Sequence, residues 1–221
     1  MSVMSPGPRR LLVVAAHPRD ADLAMAGTVA RWVAQGCQAQ LVCCTSGEGR
    51  FDEATADPLE LAALREREQR EAAAIVGYEA VTFLHRPEGA LANDLALREQ
   101  LVRLIRTFRP DVLATHDARV LITDDGTVNH VDHRACGTAA IDAVSPAAAN
   151  AMAFPGLVRS EALEPHRVER LYLFGSERPT LTLDINATLE TKRQAVAAHA
   201  SQAGRELESP SERFICIELR D

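Results

Sequence analysis

The sequence predicts an α/β fold: a single Rossmann-like domain built on a mostly parallel sheet flanked by helices. Three observations predict it. Leu11 to Ala16 is a continuous apolar run, as expected of a strand buried on both faces of a parallel sheet. Strand-like and helix-like segments then alternate four times, the order of successive βα units. The chain of 221 residues, 47% hydrophobic and 25% charged, has the size and balance of one ordinary core. The domain is expected to span 1–221, with residues 1–9 as a flexible lead.

The elements follow in order. After the first strand, Leu23, Ala26, Val29, Ala30 and Val33 recur at helical spacing between Asp22 and Gln35, and Gly36 supplies the stop. Gln38 to Thr45 reads as a second strand, running into the Ser46 to Gly49 loop. Leu59 to Val76 is rich in helix formers and ends at Gly77, before a short strand at Val81 to Leu84. A helix over Leu95 to Phe108 precedes Pro110, and Val112 to Thr115 gives a fourth strand ending at His116 and Asp117. A helix from His133 to about Val144, a loop over Ser145 to Pro155, strands at Leu171 to Phe174 and Leu181 to Ile185, a helix over Leu189 to Ala200 and a closing strand at Phe214 to Leu219 complete the chain. In such a fold the ligand site is expected beyond the carboxyl ends of the strands.

The net charge of −7 argues against a nucleic-acid partner, which would need a clustered positive face. A small molecule is the expected partner. The basic residues from Arg65 to Arg70 alternate with glutamates and read as a solvated helix face. Five cysteines without metal-like spacing point to a reducing compartment, and Cys43 and Cys44 are expected to pack on opposite faces of their strand. No run approaches the roughly 18 apolar residues of a membrane span, and the N-terminus lacks a signal-peptide pattern. A cytoplasmic protein is expected, and its exposed helices leave room for a homo-oligomer.

Two clusters carry chemistry. His17, Pro18, Arg19 and Asp20 follow the first strand directly, and a histidine and a carboxylate three residues apart on a turn can face one point. Asn129, His130, Val131, Asp132 and His133 place two of the seven histidines around a carboxylate, just before a helix. Either cluster could be a plain helix cap, with Asp132 a credible capping residue. Together they supply the three ligands of an open hydrolytic zinc site: His17, Asp20 and one of His130 or His133.

These segments resemble a known family. LLVVAAHPRDADLAMAGTVARW is similar to the opening AHPDDxE motif of the PIG-L/LmbE-like N-acetylglucosaminyl deacetylases, and VNHVDHRACG to their HxDH element. TSGEG, EQREAAAIVGY, FLHRPEG and RPDVLATHD follow in the same order, so the resemblance covers roughly residues 10 to 205. It implies a Rossmann-like fold, a divalent metal (zinc or another) held by His17, Asp20 and His133, and removal of an acetyl group from an N-acetylated, amino-sugar-type small molecule. His130 would polarise the amide or stabilise the oxyanion, and Asp132 would orient it.

Arg19 departs from the pattern. It occupies the general-base position, where the family carries an Asp, and a guanidinium cannot accept a proton. Three explanations follow: impaired turnover, another carboxylate such as Asp132 acting as base, or an anionic substrate bound by Arg19. A noncatalytic metal- or sugar-conjugate-binding member of the family is the alternative function. A nucleotide-binding reading fails because no GxGxxG follows Ala16. Glu88 and Arg65 resemble substrate-contacting positions, with a surface ion pair as the plainer reading. His116 and Asp117 could line the cleft, while His85, His166, His199 and Trp32 read as structural. Loops over Gly49 to Pro58 and Ser145 to Pro165 are expected to set the substrate pocket.

Overall fold

The apolar run at the start of the chain becomes β1 (Arg10–Ala15), and Leu11 to Ala16 have no exposed surface. The structure is a computed structural model that describes residues 7–49, 57–202 and 209–219. Chain order continues with α1 (Asp20–Ala34), β2 (Gln38–Cys43), α2 (Pro58–Val76), β3 (Ala80–Phe83), α3 (Leu95–Phe108), β4 (Val112–His116) and α4 (Val131–Asp142). It ends with α5 (Pro155–Arg159), β5 (Arg170–Phe174), β6 (Leu181–Asp184), α6 (Leu189–Ala197) and β7 (Ser211–Glu218).

One seven-stranded sheet runs in the order β3-β2-β1-β4-β5-β7-β6. The first five strands are parallel, and β7 pairs antiparallel with both β5 and β6. The chain reverses its direction of growth between β3 and β4, which flank the pair β2-β1, so β1 and β4 meet where a crevice opens at their carboxyl ends. Side chains alternate along β1: Leu11, Val13 and Ala15 pack with Cys43 against α1 and α2, whereas Leu12, Val14 and Ala16 pack with Cys44 against α3 and α4. Cys43 and Cys44 thus fall on opposite faces, as expected. Trp32 is buried edge-on against Tyr172, a packing residue.

Several expectations are corrected. Residues 7–9 are tied down: Pro8 is buried, and Arg9 donates its N–H to Asp111 Oδ2 at 2.9 Å, while residues 1–6 of the expected flexible lead lie outside the described residues. The face from Arg65 to Arg70 is not wholly solvated, since Arg65 and Glu68 are buried beneath neighbouring loops. The stretch after α4 holds a helical turn over 143–148, broken by extended backbone at Ser145 (φ −139°, ψ 124°), and then α5. The buried Arg106 guanidinium donates to the carbonyls of Ala147, Ala148, Asn150 and Ala153, and His166 donates to the carbonyl of Pro110, just before β4. That stretch therefore lies at the amino ends of the strands, away from the crevice. Of the other expected pocket loop, residues 50–56 lie outside the described residues. No helix among the described residues is long and apolar enough to cross a membrane.

Candidate functional site

β1 delivers the chain into the turn at His17. Arg19 there adopts a left-handed conformation (φ 80°, ψ −24°), which costs a non-glycine residue about 1–2 kcal/mol. The turn is held from beneath: Arg19 N–H donates to Gln69 Oε1 at 2.7 Å, and Gln69 Nε2 donates to Asp22 Oδ2 at 2.8 Å. His199 donates to the same Asp22 oxygen at 2.9 Å, so it belongs to a buried polar network that its sequence surroundings did not reveal. Folding back at Arg19 starts α1 at Asp20 rather than Asp22 and brings Asp20 Oδ2 under the His17 N–H, at 2.9 Å. The Arg19 guanidinium runs along the wall and donates through Nη1 to the Gln202 carbonyl.

The second cluster opens α4. His130, not Asp132, is the capping residue: its Nδ1 accepts the Asp132 N–H at 3.2 Å. Asp132 is fully buried, accepting from Leu91 N–H at 3.1 Å, Gly89 N–H at 2.6 Å and His17 Nε2 at 3.0 Å. The expectation that Asp132 orients His130 is corrected by these distances, because the His130 nitrogen on that side, 3.9 Å away, already serves the backbone. Asp132 orients His17 instead. His133 Nδ1 faces Asn129 Oδ1 at 3.3 Å, which orients that ring too. Gly137 lets α4 lie against β4, since a Cβ there would sit 2.4 Å from the His116 carbonyl oxygen.

With their far nitrogens tied to Asp132 and Asn129, the two imidazoles turn their remaining nitrogens to one oxygen. Asp20 Oδ2 lies 3.2 Å from His17 Nδ1 and 3.4 Å from His133 Nε2. One potential ligand atom from each of His17, Asp20 and His133 lies within 4.8 Å of the others. A carboxylate oxygen facing two imidazole nitrogens is a donor set that either a proton on the ring or a metal cation between the three atoms satisfies. Burial alone would push the His17 imidazole down, but Asp20, Asp132 and Glu88 outweigh it and raise its pKa to about 10. Burial would likewise raise the Asp20 carboxyl, yet His133 and His17 hold it well below the ordinary carboxylate value. Two nitrogens and an oxygen, oriented from behind and demanding positive charge, fit a divalent metal such as zinc.

His116, at the end of β4, completes the floor. It stacks on His133 at 4.2 Å, accepts the Ala16 N–H at 3.1 Å and lies 3.4 Å from Asp20 Oδ2. Burial pushes its pKa down to about 4, so it stays neutral. Asp117 turns instead to Arg119, at 2.9 Å, and lines a separate hollow.

Above this floor opens a cleft of about 520 Å³, whose wall includes Arg19, Asp20, Arg65, Glu88, His130 and Gln202. His130 stands edge-on to His17 at 4.7 Å; with Nδ1 accepting the backbone N–H, its neutral form carries its proton on Nε2. Burial, and then His17, lower its pKa. Arg65 and Glu88 do pair, at 3.8 Å, but inside the cleft wall rather than on the surface. Burial raises the Glu88 carboxyl above its ordinary value. The Arg65 guanidinium also donates to the carbonyl of Gly47, a residue at φ 75° whose missing Cβ would collide with Arg65.

The sequence and the fold are similar to those of known proteins. The family model described as PIG-L, GlcNAc-PI de-N-acetylase, matches residues 12–144. The diacetylchitobiose deacetylase of Thermococcus kodakarensis is 27% identical over 197 residues, covering 88% of this chain and 70% of its own. The 1D-myo-inositol 2-acetamido-2-deoxy-alpha-D-glucopyranoside deacetylase of Mycobacteroides abscessus is 28% identical over 233 residues, covering 88% and 81%. Among solved structures, the N,N'-diacetylchitobiose deacetylase of Pyrococcus horikoshii superposes with a TM-score of 0.82 at 25% identity, covering 89% of this chain and 72% of that one.

Proposed function

This chain belongs to the PIG-L family of de-N-acetylases, and from that membership we propose that it is a zinc-dependent hydrolase removing the acetyl group from an N-acetylated amino-sugar-type small molecule. The observation that carries the reading is the convergence of His17 Nδ1 and His133 Nε2 on Asp20 Oδ2 at the floor of an open cleft. His17, Asp20 and His133 would hold the metal. Zinc there would act as a Lewis acid toward the acetamide and a water molecule.

The remaining steps belong to the chain. His130 directs its Nε2–H into the cleft and donates to the acetamide oxygen as negative charge develops there. Asp132 holds the His17 ring from behind, and Asn129 does the same for His133, so neither imidazole has to reorient. Arg19 accepts no proton. Its cation on the cleft wall favours a second reading, a noncatalytic family member that binds metal and a sugar conjugate without turning it over.

Acetate release by the zinc-loaded protein from N-acetylglucosamine, N,N'-diacetylchitobiose and the inositol-linked acetamido sugar tests both. Release from any one supports the hydrolase. Release from none by the parent chain, with release restored in Arg19→Asp, supports the binding protein.

A further inference from the structure

Gln69 reaches the His17–Asp20 turn from α2, and we propose that it is the positioning residue on which the metal affinity of the site depends; the inference rests on the hydrolase reading above, through His17, Asp20 and His133. Strain is where it starts. Arg19 sits at φ 80° and ψ −24°, a conformation that disfavours any residue with a Cβ. The site needs that conformation. Folding back at Arg19 lets Asp20 Oδ2 accept the His17 N–H at 2.9 Å while it faces His17 Nδ1 at 3.2 Å and His133 Nε2 at 3.4 Å.

Gln69 offsets the strain. It has no exposed surface, and its Oε1 accepts the Arg19 N–H at 2.7 Å. The amide is locked in that sense from its other end: Nε2 donates to Asp22 Oδ2 at 2.8 Å, and His199 Nε2 donates to the same oxygen at 2.9 Å. Asp22, Gln69 and His199 are all buried, so a relay of hydrogen bonds shielded from water runs from the end of α6 to the turn. A buried hydrogen bond and one left-handed residue are of similar worth, so the Gln69 bond decides whether the turn holds this shape before a metal arrives. The Arg19 side chain is held separately. Its Nη1 donates to the Gln202 carbonyl, and the neighbouring Ser201 is clamped by Glu68, whose two oxygens accept the Ser201 N–H at 2.7 Å and hydroxyl at 2.6 Å.

Loss of Gln69 therefore acts on the metal through the backbone. Residue 19 relaxes out of the left-handed region, Asp20 Oδ2 moves off the two imidazoles, and binding zinc has to restore the turn. Two substitutions at position 19 separate this effect from that of the guanidinium. Arg19→Ala removes the side-chain cation and keeps the left-handed penalty, whereas Arg19→Gly removes both.

Zinc affinity, measured by competition titration in three backgrounds, tests the proposal. In the parent chain Gln69→Leu should weaken zinc binding about 5- to 30-fold, the ratio that corresponds to the left-handed penalty. A loss of the same size should follow Gln69→Leu in the Arg19→Ala background, and about 2-fold or less in the Arg19→Gly background. An equal loss with Arg19→Gly would make Gln69 a packing residue only and overturn the proposal, as would unchanged affinity in Gln69→Leu alone. If Gln69→Leu fails to fold, Gln69→Asn, whose amide is one methylene short of Arg19, takes its place with the same pattern expected. Zinc-free crystals give the second readout: residue 19 should leave the left-handed region in Gln69→Leu and return to it when Arg19→Gly is added. An unchanged turn in Gln69→Leu would overturn the proposal. That comparison decides on Gln69 even where the parent chain takes up no zinc, a result that would instead count against the hydrolase reading.

Discussion

The two ends of the sheet treat buried charge in opposite ways. At the amino ends, Arg106 has four carbonyls to itself and Asp111 Oδ2 accepts two backbone N–H groups, from Arg9 and Arg10. At the carboxyl ends, one oxygen of Asp20 is shared by three histidines and a backbone N–H, and the turn that puts it there is strained at Arg19. The first arrangement spreads its charge over backbone groups through Arg106 Nε and Nη2 and serves stability. The second is left with a demand for positive charge, which is what a metal centre requires of its protein.

That contrast can be broken from either end. The largest effect is expected at the carboxyl end: Asp20→Asn should abolish zinc-dependent stabilisation, which for the parent chain amounts to about 4.1 kcal/mol at a zinc concentration 1,000 times Kd. Thermal melts with and without zinc would show it, and activity should fall with the metal. Arg106→Met should do the reverse, costing about 2–4 kcal/mol in urea unfolding through the orphaned carbonyls of the 147–153 segment, with zinc per chain unchanged. Gly137→Ala sharpens the link between scaffold and site. It should cost about 1–3 kcal/mol through the clash with the His116 carbonyl, and weaken zinc binding because α4 carries His133. Smallest is Cys136→Ala: this thiol is buried 3.7 Å from Cys44 and serves packing, so about 1 kcal/mol and no change in zinc binding are expected.

The sequence made the scaffold legible where burial is symmetrical. A strand covered on both faces must be a continuous apolar run, and β1 is one. Helices α1 and α3 announce themselves by period, α2 by its helix-forming composition, and all three by their stops. The two polar clusters were legible as clusters, since a histidine and a carboxylate at a strand end have no other local reason to be adjacent. What joins them was not. His116 reaches His133 only because β4 pairs with β1 and Gly137 lets α4 approach, both long-range facts. Asp132 looked like a helix cap until the 89–91 backbone, distant in sequence, claimed its oxygens. Arg65 and Glu88 read as surface charges because nothing local shows that the Ser46 to Gly49 loop folds over them. The 145–165 segment read as a pocket wall because polar, proline-rich loops often are one, and Arg106, which fixes it at the other end of the sheet, lies about 40 residues earlier.

The central claim is that His17, Asp20 and His133 together hold one divalent cation. Equilibrium dialysis at micromolar zinc tests it most directly, comparing the parent chain with His17→Ala, Asp20→Asn and His133→Ala. One zinc per parent chain, lost in each variant while the fold is retained by circular dichroism, is the predicted result. A parent chain that takes up no zinc, or variants that bind it as the parent does, would contradict the account.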